Sequence, residues 1–151
     1  MRRAFLTALF VFIGLGLASR MGVRSATGGA SAEGYSMRVT YAAATRPGLD
    51  TPFTIELRHP GGFKDDVTLA VRTRYLDMFD KNGGLDPDPS QSSSDDDFVY
   101  WTFDPPAGDV MRVSLDAIMA PGQQWGEPGA VRLVQDGKSL VEVRFRTWVM
   151  P

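Results

Sequence analysis

Phe53-Thr54-Ile55-Glu56-Leu57-Arg58-His59-Pro60-Gly61-Gly62 is the stretch that decides the fold. Phe53, Ile55 and Leu57 alternate with Thr54, Glu56 and Arg58. That period of two sends one row of side chains into a core and leaves the other in water, which is a strand and not a helix. His59-Pro60-Gly61-Gly62 then breaks it, because proline lacks the backbone donor and paired glycines favour turns.

The same pattern recurs outward in both directions. Upstream, Tyr35, Met37, Val39 and Tyr41 alternate with Ser36, Arg38 and Thr40, and Arg46-Pro47-Gly48-Leu49-Asp50 is a turn with Pro47 and Gly48 at its centre. Downstream, Val67, Leu69 and Val71 alternate with Thr68, Ala70 and Arg72. Phe98 to Phe103 is aromatic on both faces and reads as a strand inside a sheet. Met111, Val113, Leu115 and Ala117 mark a further strand over 110–119, and 131–134 and 140–149 flank Gln135-Asp136-Gly137-Lys138. The Asp-Gly pair there predicts a hairpin turn of the primed type. Seven short strands without a long amphipathic helix imply an all-β, two-sheet sandwich.

Strand, Pro60-Gly61-Gly62 loop and the following Val67-Thr68-Leu69 resemble, loosely, the immunoglobulin-like or fibronectin-like sandwich domains of bacterial envelopes. The resemblance covers about a fifth of the domain and implies an immunoglobulin-like fold; it carries over no binding residue. With its Trp148-Val149-Met150-Pro151 tail the chain also resembles small single-anchor envelope proteins, a likeness that implies a place and no chemistry.

The N-terminus predicts where the domain stands. Met1-Arg2-Arg3 precedes an uncharged, mostly apolar run from Ala4 to Ser19, and Arg20 and Arg24 follow. A basic tip before such a run is read by the insertion machinery as a transmembrane or signal helix. Gly16-Leu17-Ala18 and Ala30-Ser31-Ala32 are cleavage candidates, but the first lies inside the run and the second far beyond it. If Arg20 snorkels, Ala4 to Val23 gives about 30 Å of helix, enough to span the hydrocarbon. The expectation is therefore a signal anchor or signal peptide over 1–24, a flexible tether over 25–34 and an extracytoplasmic sandwich over 35–151. Retention in the cell membrane as a single-pass protein is favoured over secretion after cleavage. The arginines on the two sides nearly balance, so orientation rests on the ordinary signal-anchor outcome.

Four of the 16 basic residues (Arg2, Arg3, Arg20, Arg24) precede Ala32, leaving 12 against 18 acids after it and a net charge of −6. Such a domain is repelled by phosphate backbones and anionic lipid, which argues against nucleic acid and peripheral membrane binding. The chain has no cysteine, so disulfides, thiol catalysis and thiolate metal sites are excluded.

Chemistry-bearing patterns are sparse. The sole histidine, His59, sits at a strand end, and no Gly-x-Ser-x-Gly elbow accompanies it, so it reads as a turn residue. Gly61-Gly62 and Gly83-Gly84 lack the lysine and helix of a phosphate loop. The long segment from Thr73 to Asp97 predicts a helical turn or two from Tyr75, closed by Asn82 or Gly83, followed by an acidic loop. Asp80, Asn82, Asp86 and Asp88 offer oxygens for calcium, but in EF-hand order the glycine position falls on Leu85 and the closing glutamate on Gln91. A solvated acidic loop is the alternative.

The aromatic residues form the second candidate site. Trp101 reads as core. Trp125 lies in a Pro/Gly/Gln loop, and Trp148 is out of phase with Val143, Phe145 and Val149, beside Arg144 and Arg146. Trp and Arg together are frequent anchors of protein interfaces, although capping or sheet packing would also occupy them. The sequence thus predicts a non-enzymatic, membrane-tethered module with no cofactor that binds another envelope or membrane protein. Its alternative is a calcium-dependent or carbohydrate-binding adhesion module using the 77–97 loop.

Overall fold

A computed structural model of the chain describes Thr7, residues 22–80 and residues 83–150. Two sheets pack face to face. The first contains β1 (Arg24–Ala32), β2 (Tyr35–Thr45), β3 (Asp50–Arg58), β5 (Leu85–Asp86), β8 (Val110–Ile118) and β11 (Trp148–Val149), ordered β1-β2-β3-β8-β5 with β11 on β2. The second runs β10 (Lys138–Arg146), β9 (Pro128–Gln135), β4 (Val67–Arg72), β7 (Phe98–Phe103), β6 (Gln91–Ser94). The pairings are antiparallel except for the short parallel ladder of β11 with β2. The architecture is an all-β sandwich of six and five strands.

The core is made of the alternating rows read from the sequence. Met37, Val39, Phe53, Ile55, Leu57, Met111 and Val113 from one sheet meet Val67, Leu69, Val71, Trp101, Val131, Leu133, Val141 and Val143 from the other. Each fully buried side chain of this size stabilises the fold by about 1.5–3 kcal/mol relative to exposure. Phe98, with Ala70 and Ala130, forms a smaller cluster apart from this core, where Arg132 lies 4.2 Å over the Phe98 ring. The aromatic strand therefore does carry apolar weight on both faces.

Two turns follow their residues closely. Leu49 N–H donates to the Arg46 carbonyl at 3.3 Å with Gly48 at φ 77°, a type II turn. Asp136 and Gly137 have φ 51° and 72° between the paired residues Gln135 and Lys138, as a type I′ hairpin requires.

Four expectations need correction. There are eleven strands and not seven, because β1, β5, β6 and the separate β11 join the sandwich. The segment expected to be a tether, 25–34, is β1 and its turn: Ser25 to Ala32 pair with Ala42 to Tyr35, hinged on Glu33 and Gly34 at φ 53° and 81°. Small residues make this possible. A Cβ on Gly28 would stand 3.0 Å from Val143 Cγ1, so β1 can lie against β10 because glycine is there. The helix α1 is Thr73–Leu76, one turn, and begins two residues before Tyr75. Asn82, its expected terminator, lies outside the described residues, and Gly83 is instead held where any Cβ would strike the Asp116 carbonyl. Last, the strand expected over 140–149 breaks at Thr147, where the chain passes from one sheet to the other.

The apolar run expected to be a membrane segment lies, apart from Thr7, outside the described residues. Among the described residues no helix is long and apolar enough to cross a membrane.

Candidate functional site

The switch at Thr147 builds the site. Thr147 is fully buried; its hydroxyl donates to the Ala42 carbonyl at 2.6 Å and lies 3.0 Å from the Tyr75 hydroxyl. One hydroxyl carries one proton, so Tyr75 is the donor to Thr147. Burial pushes the Tyr75 phenol far above its ordinary range and keeps it neutral, suited to donate. Pinned this way, the chain leaves β10 at Arg146 and joins β2 at Trp148, whose Cα partner is Ala44. The residues on either side of the pin, Arg146 and Trp148, both point outward, and the Arg146 guanidinium lies 4.6 Å over the Trp148 ring.

The connection from β8 to β9 supplies the opposing wall. Gln123 N–H closes a turn on the Ala120 carbonyl at 3.0 Å, and the Gln123 side chain donates to the Trp125 carbonyl. Gly126 then lies directly on the switch: a Cβ there would overlap the Thr147 carbonyl and the Trp148 Cα. That close approach presents Trp125 to solvent at 75 % exposure, with Trp148 at 59 %. Between these walls runs a predominantly apolar groove of about 700 Å³ lined by Pro47, Pro121, Trp125, Arg146, Trp148 and Met150 among others.

Of the four residues expected at an interface, the structure brings together Trp125, Trp148 and Arg146. Arg144 is held apart from them. It grips Glu142 with Nε at 2.9 Å and a terminal nitrogen at 3.3 Å, and Glu142 also faces Arg132 at 3.4 Å. The Arg144 hydrogen bond, with Arg132 nearby, holds the Glu142 carboxyl below its usual range, and the same hydrogen bond raises Arg144. The sequence does not mark Pro47, Pro121 and Met150 as residues of the site, because nothing local shows that two distant turns and the segment after β11 converge. Nor does the sequence reveal that Leu49 and Ile118 are exposed at this same end, across the Asp50–Ile118 pair that closes β3 on β8.

The candidate calcium residues are dispersed over different elements. Asp80 follows the Phe79–Met119 bridge and its N–H donates to the Ile118 carbonyl at 2.8 Å. Asp86 is on β5 opposite Ser114, Asp88 lies in the loop beyond it, and Asn82 is outside the described residues. Among the described residues no group of three acidic or histidine side chains could hold a metal. The acidic loop does contain one built feature: Asp95 accepts hydrogen bonds from Asp97 N–H, Phe98 N–H and the Tyr100 hydroxyl at 2.7–2.8 Å. These bonds, the tyrosine's first, lower the Asp95 carboxyl, and the same contact raises Tyr100. They tie the loop to β7. His59 lies at the opposite end of the sandwich, its Nδ1 3.1 Å from the Gly34 carbonyl and its ring stacked on Tyr35 at 4.1 Å.

Neither a protein-family model nor a curated protein matches this chain.

Proposed function

We propose that this chain is a non-enzymatic, membrane-tethered domain, displayed outside the cytoplasm, that binds another envelope or membrane protein through the groove between Trp125 and Trp148. The single observation that carries the reading is that groove. Two tryptophans stand well exposed on facing walls, with Arg146 stacked on one of them, and Trp and Arg are the side chains that most often anchor protein interfaces. Isolated exposed apolar residues are ordinary; two tryptophans beside an apolar groove are not.

The non-catalytic part is supported by the use made of the sole histidine, which is bonded to a backbone carbonyl and stacked on an aromatic ring far from the groove. The tethered and exported part is supported by the Arg2-Arg3 tip and the apolar run to Ser19. An immunoglobulin-like display domain fits both.

Chemical crosslinking in intact membranes, followed by capture of the full chain, tests the reading. Wild type is expected to bring down one specific protein, and Trp125→Ala to lose most of it. Equal capture by the two, or none by either, overturns the proposal.

A further inference from the structure

Among the described residues the exposed large hydrophobic side chains are Leu49, Ile118, Trp125 and Trp148, and all four stand at one end of the sandwich. They come from the β2–β3 turn, the end of β8, the β8–β9 loop and β11. The chain enters the domain at that same end, since Arg24, the first residue of β1, is registered with Ala44, and Ala44 is registered with Trp148. The apolar end and the point of attachment are therefore the same place.

Attachment there is short if the apolar run is a membrane anchor. β1 begins at Arg24 and the run ends at Ser19, so at most residues 20–23 separate the two, and fewer if the membrane segment extends toward Val23. Four residues reach at most about 14 Å when fully extended. With the apolar run held in the bilayer, the groove cannot stand far from the headgroups. A contact surface in that position meets whatever lies at the membrane surface.

The chemistry of the groove narrows the occupant further. It is concave and mostly apolar, which suits a protruding segment better than a flat lipid surface. Arg146 is the one charged side chain among its described lining residues. That favours a carboxylate over a cation. The domain as a whole is acidic, which opposes docking on anionic lipid. Resting on the function proposed above, we infer that the groove takes a juxtamembrane segment of an integral membrane protein: short, apolar, and carrying a carboxylate that meets Arg146 at the bilayer surface.

A photoactivatable amino acid placed at Gln124, in the full chain in native membranes, tests this, with Lys138 at the opposite end as the control position. Adducts at Gln124 are expected on a membrane protein, within a few residues of the end of one of its transmembrane segments, and none of them at Lys138. Arg146→Glu should lower their yield at least tenfold while leaving the unfolding midpoint of the chain in place. Adducts on a water-soluble protein, or on a part of a membrane protein remote from the bilayer, refute the juxtamembrane assignment and leave protein binding standing. Adducts on lipid alone, or none, refute both. An undiminished yield with Arg146→Glu refutes the carboxylate.

Discussion

Replacing Thr147 with valine keeps the shape of a fully buried side chain and removes only its hydroxyl. In the native domain that hydroxyl donates to the Ala42 carbonyl and accepts from Tyr75, joining the switch between sheets to β2 and to α1. Thr147→Val leaves the buried Tyr75 hydroxyl without an acceptor and removes a donor from Ala42. Each such buried, unsatisfied group costs about 1–3 kcal/mol, and the apolar volume is unchanged, so the loss should be about 2–6 kcal/mol in total. With an unfolding entropy of about 0.27 kcal/mol per kelvin for a domain of this size, the midpoint should fall by about 7–22 °C. Thermal and urea unfolding of the full chain in detergent, followed by fluorescence of buried Trp101, reads this directly. Tyr75→Phe should cost less alone, and the double variant should fall short of the sum, because both changes remove one contact. A loss below about 0.5 kcal/mol for Thr147→Val, or strict additivity, would show that packing holds the switch and the hydroxyl does not.

Gly28→Val pushes a branched side chain into Val143, which a Cβ alone would approach to 3.0 Å, and should destabilise by about 1–3 kcal/mol in urea unfolding. Gly22→Val, with nothing within 4 Å of its Cβ, is the control and should be close to neutral. The folded-state pKa of Asp95 is depressed, so its contribution is present above the ordinary value near 3.8 and is lost as pH falls through the lowered one. Asp95→Asn should therefore flatten the acid limb of the stability profile, and in NMR titration Tyr100→Phe should raise the Asp95 midpoint. Millimolar calcium should leave the thermal midpoint unchanged, whereas a rise of several degrees would favour the adhesion alternative.

The core was legible because its signal is local: Phe53, Ile55 and Leu57 point inward for the same reason they alternate. The Pro47-Gly48 and Asp136-Gly137 turns were legible because only certain residues reach positive φ without strain. β1 was not. Gly28, Gly29 and Ala30 lack the apolar face by which a strand is recognised, and this segment is ordered by its ladder to β2 and by fitting beneath Val143. The break at Thr147 was equally hidden, since its cause is a hydrogen bond to Ala42, 105 residues away. For the groove, the sequence supplied Trp125, Trp148 and Arg146 as individuals. Their convergence depends on Gly126 packing on the switch, and Arg144 drops out because Glu142 claims it.

The absence of cysteine permits a direct measurement: single cysteines at Gln124, beside the groove, and at Lys138, at the opposite end, each exposed in the isolated chain. In intact cells a membrane-impermeant maleimide should label Lys138→Cys readily and Gln124→Cys poorly, with Gln124→Cys becoming reactive once detergent separates the chain from its partner. Equal labelling at both positions before detergent would show the groove to be uncovered, and no labelling at either until lysis would place the domain on the cytoplasmic side; each result contradicts the account.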